Sequence, residues 1–241
     1  MAIHTADAIV LRRYAFRETS VVVTCLTQEF GKLKGLVKGL RAHPNRYRSA
    51  MEPLTVNRIV FYDTRSSQLH LISQCELMNG LGALQRDLDT AVAAAFCVDL
   101  TDTVVPLEEP APPVYVLLRD TLERLALATG TDVEAARLHF VLRFLRVSGF
   151  HPQIDQCAGC ARRVEREGYW SHREGGLLCA SCLHEDPRAE PINRDALEAL
   201  AAAGDSPGPV PMPPGMLANL RERLDAFLIW RLDRPLKTMR A

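Results

Sequence analysis

The sequence predicts an α+β chain of several domains, and three observations predict it. Five β-rich runs fill the first ~80 residues. From Leu81 onward the apolar period changes from strand-like to helical. Between two helical stretches stand two matched pairs, Cys157-Ala-Gly-Cys160 and Cys179-Ala-Ser-Cys182.

The strands come first. Ala8-Ile9-Val10-Leu11 is a short apolar run, and Ser20 to Thr27 is β-branched and uncharged. Gly31 to Gly39 partly alternates basic with apolar residues, as a half-exposed strand does. Val56 to Tyr62 and Gln68 to Cys75 flank a turn cluster, Asp63-Thr64-Arg65-Ser66-Ser67. Five strands without a long helix suggest a small barrel, and the OB-fold fits that count.

The helices follow. Ala83 to Asp102 has helical spacing. Pro112 and Pro113 open a stripe of Val114, Leu117, Leu118, Leu122 and Leu125. Thr131-x-x-Glu134 has the form of a capping box, and Gly149 stands where a helix-ending glycine belongs. Asn193 to Ala203 is a short helix with Asn at its cap. Residues 206–215 carry five prolines and exclude regular structure, and Met216 to Leu232 forms a last helix. The expected partition is therefore a barrel over 1–80, a helical domain over 81–153 and 191–241, and an inserted four-cysteine module over 154–190. His139 in its apolar helix reads as a core or edge histidine.

Eighteen residues separate the cysteine pairs, inside the window for a zinc module. Cys157, Cys160, Cys179 and Cys182 can close a sulfur tetrahedron around one structural Zn²⁺, with no open position for catalysis. Another metal, an iron–sulfur cluster or a redox pair stand as alternatives. Tyr169 and Trp170, between the pairs, are expected to pack over the knuckles. Cys25, Cys75 and Cys97 lie alone in apolar stretches and read as small buried hydrophobes. Metal-type cysteine spacing points to a reducing, cytoplasmic compartment. The N-terminus has no basic-then-apolar leader, and no apolar run approaches a membrane span.

Formal charge is zero overall but uneven: residues 1–80 hold eleven Lys and Arg against six Asp and Glu. Lys32, Lys34, Lys38, Arg41, Arg46 and Arg48 follow one another without an acid, with His43 and Tyr47 interleaved. On a strand, Lys32, Lys34 and Lys38 share one face. Cations beside an aromatic suit nucleic acid, with Tyr47 stacking on a base. Arg12, Arg13 and Arg17 near the first turn extend the patch. Another anionic partner, or a solvated face without a ligand, are the other readings.

Catalytic signatures are missing. There is no P-loop, no H-E-x-x-H, no G-x-S-x-G and no deaminase pattern, and Glu108-Glu109 reads as a solvated pair. A binding module is favoured over an enzyme. A zinc-stabilised nucleic-acid enzyme such as a nuclease is the alternative.

At this point the residues match a known pattern. Ala8 to Tyr14, Glu18, Val21 to Thr27 and Gly31-Lys32 form the opening part. Lys38-Gly39-Leu40-Arg41 and Arg48-Ser49 follow. Phe144 to Pro152 runs into Cys157, Gly175-Gly176-Leu177-Leu178 runs into Cys179, and Arg234 to Thr238 closes the chain. Over essentially its whole length the sequence resembles the RecO family of bacterial recombination mediators. The resemblance implies an OB-fold, a helical domain and a zinc module. It implies binding to single- and double-stranded DNA, strand annealing, and, with RecR, loading of a RecA-type recombinase onto DNA coated by single-strand-binding protein. The acidic tail of that protein is expected on the helical domain, with Arg119, Arg124, Arg137 and Arg143 as candidate contacts. No catalysis is implied, and the place of action is the bacterial cytoplasm, at the nucleoid. Ala42-His43-Pro44-Asn45 is less basic than the family pattern leads one to expect after Arg41.

Overall fold

A computed structural model of the protein describes residues 2–43, 47–63, 68–85, 87–164 and 167–239. The chain forms two compact units, Met1–Leu127 and Ala128–Ala241.

In the first unit, β1 (Ile3–Phe16), β2 (Ser20–Thr27), β3 (Gly31–Val37), β4 (Val56–Tyr62) and β5 (Leu69–Asn79) close a barrel in the order β1-β2-β3-β5-β4. β3 and β5 run parallel; the other pairs are antiparallel. This is the expected OB-type barrel. Period-two alternation sends Val21, Val23 and Cys25 inward with Leu33, Val37, Ile59 and Phe61. The first strand is longer than its apolar run. A register shift between Val10 and Arg12 lets Ala6, Ala8 and Val10 face inward while Arg12, Tyr14 and Phe16 all face outward. Cys25 and Cys75 are buried core thiols; burial, with Cys75 close by, pushes Cys25 up to about 12, and burial pushes Cys75 up to about 11.

Two helices complete this unit. The expected 83–102 helix divides into a 3₁₀ turn, Gly82–Gln85, and α1, Leu88–Val104. The Asp87 carboxylate stands between them and accepts from the Thr90 N–H, capping α1. α2 spans Pro112–Leu125, with proline in its first turn. The loop joining α1 to α2 is strapped to the barrel. Glu108 N–H donates to the Lys32 carbonyl, and a Cβ on Gly31 would fall 2.0 Å from the Glu109 oxygen. Glu108 and Glu109 are both exposed, as a solvated pair would be, and the Glu108 carboxylate lies 3.2 Å from His70 Nε2.

The second unit holds α3 (Thr131–Val147), α4 (Arg194–Asp205) and α5 (Pro214–Leu232). The capping-box reading fails at α3. Gly130, at φ +55°, takes the cap position, Thr131 is already helical, and Glu134 pairs with Arg221 at 3.1 Å. Asn193 does cap α4, accepting from Ala196 N–H. Gly149, at φ +77°, ends α3. His139 is a buried histidine, its Nδ1 3.2 Å from the Ala203 carbonyl.

Between α3 and α4 lies the cysteine module, with β6 (Gly168–Ser171), β7 (Gly176–Leu178) and β8 (Glu190–Ile192) ordered β7-β6-β8. One of its glycines, Gly176, has a steric reason. Gly176, at φ +153°, sits against Gln153, where a Cβ would fall 2.2 Å from the backbone oxygen. Gln153 bonds on both sides, to the Gly175 carbonyl and from Leu177 N–H. Tyr169 packs on the cysteine cluster as expected, but Trp170 faces the other way, onto Phe227 of α5 at 6.1 Å. Successive strand residues point to opposite faces, so only one of the pair can cover the knuckles.

Candidate metal centre and nucleic-acid interface

The four cysteines meet. Cys157 and Cys160 lie on a turn closed by Ala161 N–H to the Cys157 carbonyl. Cys179 and Cys182 lie where β7 runs into a 3₁₀ turn, Ala180–Glu185, with Cys182 N–H on the Cys179 carbonyl. All four sulfurs fall within 4.8 Å of one another, and Cys160 Sγ is 3.8 Å from Cys179 Sγ. Bonds of 2.3 Å in a tetrahedron require a sulfur–sulfur edge of about 3.8 Å. The donor set thus fits a closed, tetrahedral metal ion. The cluster also prepares thiolate. Burial resists charge at Cys157, but N–H groups of Cys179, Cys160 and Gly159, with the Cys160 thiol, outweigh it and bring Cys157 down to about 6. Cys182 moves the other way, raised by burial and then by its three thiol neighbours. Four thiols this close cannot all ionise alone; a cation resolves the conflict.

A hydrogen bond braces the module. Ser171, ending β6, donates to Asp186 at 2.6 Å. That bond holds the Asp186 carboxyl below its usual range, against burial, with help from Arg188 N–H.

The basic residues do not stay together. Lys34, Lys38 and Arg41 are exposed. Arg41 N–H bonds the Thr19 carbonyl and its guanidinium reaches the Arg17 carbonyl at 3.3 Å, tying this loop to the β1–β2 turn. Lys32 keeps the parity of Lys34 and Lys38 but is 8% exposed. Its ammonium donates to the Asp102 carbonyl of α1, and burial, opposed by Asp102, lowers its pKa. Arg12 pairs with Asp99 and Asp102 on the same helix. Arg13 reaches Glu52 at 3.5 Å. Arg48 is exposed and paired with Glu76, beside an open groove of about 600 Å³ that Arg58 also lines. Arg46 lies outside the described residues.

Tyr47 is a correction. It is 9% exposed, belongs to the barrel core, and donates its hydroxyl to the Lys38 carbonyl at 2.7 Å. It supports the loop from the core, with only an edge reaching the groove beside Arg48. The exposed aromatics of the barrel are instead Tyr14 and Phe16, at 51% and 36%. Their signal in the sequence was the outward alternation Arg12-x-Tyr14-x-Phe16.

A closed OB-type barrel with an exposed cationic loop, followed by a helical unit carrying a four-cysteine metal-type cluster, defines the class. Residues 1–81 match the family model "Recombination protein O N terminal", and residues 85–240 match "Recombination protein O C terminal". The chain belongs to the RecO family. It is similar to the DNA repair protein RecO of Anaeromyxobacter sp. (strain K), 33% identical over 96% of this chain and 92% of that protein. The DNA repair protein RecO of Moorella thermoacetica is 30% identical over 97% and 88%. That of Pelotomaculum thermopropionicum is 28% identical over 99% and 93%. No helix among the described residues is long and apolar enough to cross a membrane.

Proposed function

We propose that this chain is a DNA-binding recombination mediator in DNA repair. It anneals complementary strands and, with RecR, helps load a RecA-type recombinase onto DNA coated by single-strand-binding protein, without catalysis of its own. The observation that carries the reading is the exposed set Lys34, Lys38 and Arg41, with no acid anywhere between Lys32 and Arg48. Such a face neutralises phosphates of either single- or double-stranded DNA. Lys32, Arg12 and Arg13 drop out as primary contacts because acids already engage them.

The metal belongs to this reading as a structural element. Cys157, Cys160, Cys179 and Cys182 would hold one Zn²⁺, which supplies a closed cross-link and no reactive position. Its place is the module at 154–190, between the helical segments 81–153 and 191–241. The acidic tail of single-strand-binding protein is assigned to the helical part, and the site of action to the bacterial cytoplasm.

The test is annealing of complementary strands pre-coated with single-strand-binding protein, using the full chain and a Lys38→Glu/Arg41→Glu variant. Accelerated annealing by the wild type and its loss in the variant support the reading. Wild-type annealing by the variant, or strand cleavage by the wild type, overturns it.

A further inference from the structure

The four cysteines of the metal-type cluster are not equivalent. Cys157 and Cys182 are buried, at 2% and 7% exposure, whereas Cys160 and Cys179 are half-buried and reach solvent. The cluster therefore has an inner and an outer pair, and each pair takes one cysteine from each knuckle. The two outer sulfurs stand 3.8 Å apart. A structural metal needs the four donors and has no use for this difference between them.

Oxidants distinguish the pairs. Attack by sulfur on a peroxide follows thiolate character and access to solvent, and access belongs to Cys160 and Cys179. The inner Cys157 sulfur is covered, and it also accepts the Cys179 N–H at 3.3 Å. The knuckles are held side by side by a bond that involves no sulfur: Ala158 N–H donates to the Leu177 carbonyl at 2.7 Å. Closing the outer sulfurs from 3.8 Å to a disulfide of about 2.0 Å then asks for a shift of about 1.8 Å, shared between two side chains. Cys25, Cys75 and Cys97 are all buried and offer a peroxide no comparable access.

We infer that Cys160 and Cys179 are a modification site for peroxide, which joins them in a disulfide across the two knuckles and releases the metal. The inference rests on the structural-metal reading above and adds a reaction of two of the four ligands. One outer thiolate attacks a peroxide oxygen; the O–O bond breaks, leaving a sulfenic acid and a hydroxide that takes a proton to become water. The other outer thiolate attacks the sulfenic sulfur, forms the S–S bond and displaces a second hydroxide, again protonated to water. The two cysteines together lose two electrons, and one hydrogen peroxide is reduced to two waters. Zn²⁺ leaves because two of its four donors are consumed. Cys157 and Cys182 remain thiols, and the new bond ties one knuckle to the other as the metal did.

The experiment treats the zinc-loaded full chain with hydrogen peroxide and needs no substitution that could unfold it. Zinc release is followed with a chromophoric chelator, and the product is alkylated in denaturant, weighed and digested for peptide mapping. The expected result is loss of the bound zinc in step with a two-hydrogen loss of mass. The linked peptides should carry Cys160 and Cys179, and the alkylating label should fall on the other five cysteines. Dithiothreitol with added zinc should remove the link and restore the metal. A Cys157–Cys160 or Cys179–Cys182 link, any other pairing, oxygen added to sulfur without a link, or four intact thiols after treatment overturns the site. Metal content is measured before peroxide is added. A chain that takes up no zinc overturns the metal reading, and mapping of the same peroxide-treated chain still decides whether Cys160 and Cys179 pair.

Discussion

Lys32 and Asp102 are joined twice: the ammonium donates to the aspartate's own carbonyl at 2.5 Å and lies 3.5 Å from its carboxylate. The contact holds β3 to α1, in a pair whose side chains are 10% and 13% exposed. The most buried cation among the described residues of the basic stretch therefore acts on the fold.

Replacing it separates stability from binding. Lys32→Met should lower stability by about 1–3 kcal/mol, because Asp102 loses a charged donor in a partly buried site. Lys38→Ala should stay within about 0.5 kcal/mol, as exposed substitutions do. Urea denaturation gives both values. A Lys32→Met protein of wild-type stability that binds DNA poorly would reverse the assignment.

Tyr47 should behave as a core residue. Tyr47→Phe loses the hydrogen bond to Lys38 and about 1 kcal/mol. Tyr47→Ala opens a cavity and costs about 3–5 kcal/mol. DNA affinity of the Phe variant is expected to equal wild type in a titration at low temperature. A marked loss there would return Tyr47 to the interface.

Salt dependence counts the exposed cations. On single strands each phosphate contact contributes about −0.7 to the slope of log K against log salt. Removing Lys34, Lys38 and Arg41 together should flatten that slope by about 2. An unchanged slope in the triple variant would place the contacts elsewhere.

The cysteine cluster should bind one divalent ion per chain, and Cys157→Ala should lower stability and metal content first. Acid acts in a definite direction. In chelated protein the Cys157 thiol, at about 6, lies below its unfolded value of about 8.5. Its contribution is fully present above the unfolded value and is lost as pH falls through about 6. Denaturation midpoints of chelated wild type and Cys157→Ser should therefore diverge as pH rises from 6 to 9. Parallel curves would show that Cys157 carries no such charge. A fully stable Cys157→Ala protein that keeps its metal would remove this residue from the ligand set.

Ser171→Ala should cost about 1–3 kcal/mol, since it leaves a buried carboxylate without its hydroxyl donor. Asp186 has a depressed pKa, so its contribution is present above about pH 4 and fades as pH falls through its lower folded value. The Ser171→Ala deficit should accordingly shrink below pH 4 in a chemical denaturation series. A deficit that persists unchanged at low pH would point to packing.

Local pattern was enough for much of this protein. The strands Ser20–Thr27 and Val56–Tyr62 are legible residue for residue, because β-branched alternation is a property of the strand itself. The cysteine set is legible because two knuckles must bring sulfurs to one point, and spacing records that constraint. The fate of each cation was not written locally. Lys32 and Lys34 have the same type and the same parity, yet the acid that engages Lys32 lies 70 residues away. Tyr47 looked like a stacking residue until the barrel closed around its ring, and Tyr14 looked like part of a strand until a bulge turned it outward. By itself the sequence determined the elements, the metal-type cluster and the family, since these rest on near-neighbour spacing and overall likeness. Tertiary structure alone decided which charges and rings remain facing solvent, because exposure is set by whatever distant segment packs on top.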